Sequence, residues 1–313
     1  MLGRTANDLY WMARYVERAE NISRLLEVGL RLGLLTHDGA EGEWRSTLSS
    51  AGCEAGYLEK HTTYDTASVI DFLLLDRANP SSVRSCIESA RRNARAQRTA
   101  ITREMWESLN SAWIELPSRA RPDMKVNELP QVFDWVRERS ALFRGAMLNT
   151  ILRNDTYYFT QLGTFLERAD HTARILDVKY YVLLPQNELV GGGVDSAQWA
   201  AILRSVSAHR SFRWVYRDAF KPWHIAEFLM LSAEMPRSLH SCYIQITGAL
   251  EGLGSCYGEP PACIGRAERI RDSLKDREMG AIFQMGLHEF LRDFISGNNR
   301  LASEIATTYH FND

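Results

Sequence analysis

Apolar residues recur at spacings of three and four along most of this chain, the pattern of helices that bury one face. The first such stretch predicts a helix over 6–35. Leu9, Met12, Val16, Ala19, Ser23 and Leu26 form its stripe, with Thr5 or Asn7 as the starting cap. The same spacing predicts helices over 44–56, 64–78, 81–95, 96–116, 131–148, 154–184, 196–219, 223–234, 236–251, 264–276 and 279–306. Between them glycine and proline gather into loops: 37–43, 117–130, 186–195 with three consecutive glycines, and the neighbourhood of Pro260 and Pro261. Residues 156–160 (TYYFT) have strand-like composition but lead directly into a helical repeat, and no alternating run is bounded by a hairpin turn. The fold class predicted is all-α.

The helical pattern also repeats. Residues 17–28 read ERAENISRLLEV and residues 167–178 read ERADHTARILDV, identical at six of twelve positions. Residues 71–86 (DFLLLDRANPSSVRSC) and 227–242 (EFLMLSAEMPRSLHSC) match at an offset of 156, close to the 150 of the first pair. Trp44 and Trp199 fall at a similar offset, as do the glycine loops after Leu35 and Leu184. Matched order and spacing point to a duplicated unit. The expectation is a helical bundle built from two pseudo-symmetric repeats of about 150 residues, 1–149 and 150–313. With no flexible linker between them, the two should pack as one body. Pro80 and Pro236 suit the first turn of the following helix, where a missing N–H costs nothing.

Composition narrows the functional classes. At 313 residues, 45% hydrophobic and 24% charged, the chain can bury a sizeable core. A formal net charge of -2 argues against a nucleic-acid partner. Arg4, Asp8, Arg14 and Glu17 interrupt the apolar stretches near the start, so neither a leader peptide nor a membrane segment is expected. Five cysteines without a Cys-x-x-Cys pair, among them Cys256 and Cys263, read as buried thiols of a cytoplasmic protein.

A helix carrying Glu-Arg-Ala, repeated in the second half, resembles the bacterial alpha-E domain family, as does the segment NPSSVRSCIESARRNARAQRTAITREMWESLN over 79–110. The resemblance covers nearly the whole chain. It implies no established activity. It does imply a setting: a circularly permuted ATP-grasp protein as partner, and a transglutaminase-like protein as a further one. That setting suggests a role in an amide-forming or peptide-modifying system.

Two groups of residues could carry chemistry. The first lies on the duplicated helix: Glu17, Arg18 and Arg24 in one copy, Glu167, Arg168, His171 and Arg174 in the other. Glu20–Arg24 and Asp170–Arg174 have the i,i+4 spacing of helix-surface ion pairs. The alternatives are a structural ion-pair network, or a two-fold-related pocket whose arginines bind a carboxylate or phosphate. Glu167 and His171 also have ligand spacing, but Asn21 replaces the histidine in the first copy and no Glu-x-x-His pair supports a di-metal site, so no metal is assigned. The second group is the basic run Arg91, Arg92, Arg95 and Arg98. It reads either as a solvated face paired with Glu88 or as a patch for an acidic partner. Nucleophile elbows, phosphate-binding glycine loops and dinucleotide fingerprints are missing, so no catalytic residue or cofactor is assigned. The leading expectation is a non-catalytic helical partner of an ATP-grasp amide ligase. The alternative is a small-anion, amino-acid or peptide binder, or an enzyme, using the paired Glu/Arg helices. A homo-oligomeric scaffold is third.

Overall fold

The computed structural model describes residues 1–33, 41–182, 193–217 and 220–311. The loops expected at 37–43 and 186–195 lie largely outside these. Among the described residues every regular element is helical. The chain opens with α1 (Gly3–Gly33), α2 (Glu41–Ser50), α3 (Glu54–Leu58), α4 (Thr66–Leu74), α5 (Val83–Ala96), α6 (Arg103–Arg119) and α7 (Leu129–Thr150). It continues with α8 (Asp155–Val182), α9 (Gly193–Ser205), α10 (His209–Tyr216), α11 (Pro222–Met230), α12 (Leu239–Tyr257), α13 (Ile264–Lys275), α14 (Met279–Met285) and α15 (Leu287–Thr308).

The two longest helices made before and after the midpoint, α1 and α8, pack side by side at the centre. α5 and α7 cover α1, while α12 and α15 cover α8. The predicted stripe of α1 is wholly buried, and each fully buried leucine or methionine contributes about 1.5–3 kcal/mol. Burial continues past the stripe, however, to Glu17, Glu20 and Asn21, because neighbours enclose this helix on several sides. Close approach of the central pair depends on Gly163. A Cβ there would lie 2.1 Å from the Tyr10 carbonyl oxygen of α1.

Several boundaries differ from the sequence reading. α1 starts at Gly3, so Thr5 and Asn7 are inside it and cap nothing. Pro117 lies in the last turn of α6 rather than in a loop. There it gives up one donor, and the helix still closes through the Ala120 N–H to Leu116. Pro80 and Pro236 stand two residues before a cap instead of inside a first turn. The caps are Ser82 and Ser238, whose hydroxyls accept from the N–H groups of Ser85 (3.1 Å) and Ser241 (2.9 Å). The helix expected over 196–219 breaks between α9 and α10, with Ser207 at φ 56°. The one expected over 279–306 breaks at Gly286, whose φ of 102° only glycine adopts easily.

Candidate ligand site

Where α1 and α8 face each other they exchange ion pairs. Arg168 on α8 donates from Nε and Nη2 to the two oxygens of Glu17, both at 2.9 Å. Arg18 on α1 does the same to Glu167, at 2.5 and 2.9 Å. Each Glu-Arg dipeptide therefore places its glutamate against the other's arginine in a two-pronged bond.

Each pair has its own surroundings. Glu17 also receives Arg237 Nη1 at 2.8 Å and Arg144 Nη1 at 3.2 Å. Arg237, from the turn before α12, reaches further to Asn21 Oδ1 (3.1 Å) and to Glu20 Oε1 (2.8 Å). Glu20 is held as well by Arg24 and Arg144. Around the other pair, Arg14 bonds Glu167 at 2.8 Å, and Arg174 bonds Asp170 at 2.6 Å. Burial works against the charged form of Glu17, but Arg168 and Arg237 outweigh it and hold the carboxyl well below the usual range. Burial likewise opposes ionisation of Glu167, and Arg18 with Arg14 brings it down to about 2. Side by side, these clusters set four carboxylates (Glu17, Glu20, Glu167, Asp170) against seven guanidiniums (Arg14, Arg18, Arg24, Arg144, Arg168, Arg174, Arg237). Cation outnumbers anion in a largely buried place.

Beside the Arg18–Glu167 pair lies a cavity of about 200 Å³. Its walls come from α1 (Arg18, Asn21, Ile22, Leu25), from α8 (Glu167, Asp170, His171, Arg174), from the turn at 50–52 and from Ser81. His171 is only 6% exposed, and burial together with Arg237 lowers it to about 3, so the imidazole is neutral. Its Nε2 and the Nδ2 of Asn21 are buried polar atoms without a hydrogen-bond partner, a state that calls for a ligand or an ordered water.

The expected site residues thus divide. Arg18, Glu167, His171 and Arg174 meet around the cavity. Glu17 and Arg168 lie in the neighbouring cluster with Arg237, and Arg24 bonds Glu20 and, at 2.6 Å, Ser207 Oγ. Sequence reading missed Arg14, Arg144 and Arg237. For Arg237 a signal existed, since it stands where the first segment has Ser81, between the shared proline and the shared serine. Arg14 and Arg144 carry no such mark. Arg91, Arg92, Arg95 and Arg98 do not line the cavity. Arg91 bonds Asn110 at 2.9 Å rather than Glu88, and Arg91 and Arg98 lie over the Trp106 ring, so part of this run is packed and not simply solvated. Among the described residues no group of three or more His, Cys, Asp or Glu could hold a metal ion. Cys86 and Cys242 are buried, their thiols pushed up to about 12 chiefly by desolvation.

A family model described as a predicted alpha-helical domain with a conserved ER motif, Alpha-E, matches residues 1–310. The chain belongs to the Alpha-E family. Glu17-Arg18 and Glu167-Arg168 are the Glu-Arg dipeptides that cross-pair at its centre. Similar curated proteins include uncharacterised ones from Mycobacterium bovis and Mycobacterium tuberculosis. Each is 24% identical over 338 residues, covering 97% of this chain and 36% of the relative. This Alpha-E chain therefore spans about a third of the length of the curated relatives it matches. No solved structure matches it. Among the described residues no helix is long and apolar enough to cross a membrane.

Proposed function

We propose that this Alpha-E chain is a non-catalytic binding domain whose cavity between α1 and α8 takes a small charged ligand of the amino-acid or peptide class. The carrying observation is the cavity itself, polar-walled, fed by charged side chains from both central helices, with His171 and Asn21 left unsatisfied beside it. The surplus of buried guanidiniums favours a ligand that brings a carboxylate, which arginine binds well. A catalytic reading that uses His171 as acid or base at this site is disfavoured, because burial and Arg237 hold that histidine far below neutral pH.

The same reading takes the two central helices as descendants of one duplicated unit, 1–149 and 150–313. Reciprocal Glu-Arg bonding supports it, as do the identical serine caps at Ser82 and Ser238 and the left-handed backbone at both Gly52 and Ser207. Titration calorimetry with free amino acids, short peptides and inorganic phosphate tests the binding. A ligand is expected whose affinity falls about 10–100-fold in Arg174→Ala, the scale of one lost charge-assisted hydrogen bond. Silence from every compound would remove this reading.

A second element is partnership with an ATP-grasp amide ligase. It is motivated by the family resemblance and by relatives whose remaining two thirds leave ample length for another domain. Co-purification with the ligase, and ligase turnover with and without this chain, check it. Unchanged turnover and no complex would count against it.

A further inference from the structure

We propose that the cavity receives a guanidinium group, so that its ligand is arginine or a peptide presenting an arginine side chain. This rests on the amino-acid or peptide reading of the cavity and on the matched segments 71–86 and 227–242. It names the chemistry that the cavity selects.

The argument comes from the neighbouring cluster, which shows what the open site lacks. Arg237 places one guanidinium against three acceptors: Glu17 Oε1, Glu20 Oε1 and Asn21 Oδ1. The residues 150 positions later are Glu167, Asp170 and His171, and all three line the cavity. The residue 156 positions before Arg237 is Ser81, which also lines the cavity. A short hydroxymethyl thus stands where the other half carries a long arginine. The cavity is the room that such a side chain would fill.

The acceptors in the open site are correspondingly under-used. Glu17 Oε1 receives two donors, Arg168 Nε and Arg237 Nη1. Glu167 Oε1 receives Arg18 Nε alone among the described residues. Among the described residues Asp170 is bonded by Arg174 alone, whereas Glu20 takes Arg24, Arg144 and Arg237. His171 is neutral and without a partner at Nε2, and in its Nδ1–H tautomer that nitrogen offers a lone pair to a donor, as the amide oxygen of Asn21 does to Arg237. A guanidinium carries five N–H donors in a planar fork, enough to satisfy all three at once.

Charge does not forbid this. Three arginines already attend each pair of carboxylates: Arg14, Arg18 and Arg174 around Glu167 and Asp170, and Arg24, Arg144 and Arg168 around Glu17 and Glu20. The Arg237 cluster accepts one guanidinium more, and the open site presents the same balance. Among the described residues Arg18 Nη1 reaches Ser81 Oγ alone, at 3.4 Å, and no bond is made by Arg174 Nη1, so both face the carboxylate of the same ligand.

The test is calorimetry on the full chain with L-arginine, agmatine, an arginyl dipeptide, L-citrulline, L-glutamate and inorganic phosphate. Arginine is expected to bind, agmatine, which lacks the carboxylate, more weakly, and citrulline, which keeps the shape but loses the charge, at least about tenfold more weakly than arginine. Free arginine binding better than the dipeptide, or the reverse, tells which source is used. Ser81→Arg should abolish binding by filling the room from within, with an unfolding temperature no lower than that of the parent. Ser81→Ala should leave binding intact. Arginine bound no better than citrulline, or bound undiminished by Ser81→Arg, overturns the proposal, and neither comparison depends on a fragile variant. If glutamate or phosphate binds and arginine does not, the guanidinium assignment fails while the binding cavity stands. If nothing binds, both fail.

Discussion

Glu17 shows how a polar residue can lie in a core. Its carboxylate is 1% exposed and takes bonds from Arg168, Arg237 and Arg144. Glu17→Ala would strand Arg168 as a buried cation and take one of three acceptors from Arg237, a change expected to cost about 3–5 kcal/mol in denaturant unfolding. Arg103→Ala, which removes the exposed Arg103–Glu107 pair, should leave the midpoint unmoved. Equal effects from the two substitutions would refute the distinction. Acid should act through the same residues. His171 is lowered to about 3 in the folded chain, so between its ordinary range near 6.5 and that value the unfolded chain binds the extra proton, and stability declines as pH falls. Glu167, lowered to about 2, adds stability present above its usual range near 4.5 and lost on the way down. Unfolding free energy measured from pH 7 to pH 4.5 should therefore slope less in His171→Asn, which installs the residue found at position 21. From sequence, the Glu-Arg dipeptides stood out because they recur, and their burial did not. At 100° per residue Glu17 falls away from the apolar stripe and Glu20 at its edge, and only the arginines arriving from distant segments make an enclosed place for them tolerable.

At the scale of helices, periodicity located nearly every element because most bury one face. What it could not see were interruptions that leave the apolar spacing intact. Apolar residues continue in helical register through Val206 and Ala208, both buried, while the backbone turns at Ser207. At Gly286 the same holds between Phe283 and Leu287, four apart and both packed in the core. Proline misled in the opposite sense at Pro117, since a last helical turn tolerates a missing donor. The contact between α1 and α8 makes its own prediction. Gly163→Ala sets a methyl on the Tyr10 carbonyl and must push the two helices apart, at a cost of about 1–3 kcal/mol. Gly145→Ala on α7 meets nothing within 4 Å and should gain about 0.5–1 kcal/mol from helix propensity. Thermal unfolding of the two single variants decides it, and a neutral Gly163→Ala would show that the helices are looser than they stand here.

For the molecule as a whole, the central bonds join residues about 150 positions apart. Neither 1–149 nor 150–313 contains a complete set of partners, so each segment expressed alone should lack a cooperative transition, and co-expression should restore one, read by circular dichroism and size-exclusion chromatography. A segment that folds by itself would contradict the shared interior. The all-α class and the family were legible in the chain's periodicity and its Glu-Arg repeat. The position of the open site was not, because it depends on Ser81 being short where Arg237 is long, a difference that acquires meaning only when both are placed beside the same pair of helices.

The reciprocal Glu-Arg exchange also sets a clock. At about 5–20 residues per second of ribosomal synthesis, the arginine that Glu17 needs emerges roughly 8–30 s after Glu17 does. For that interval the first long helix can meet α5, α7 and Arg144 but not α8, so a newborn chain stays open on that one side to chaperones, or to mispairing with another nascent copy, until the segment around Arg168 appears.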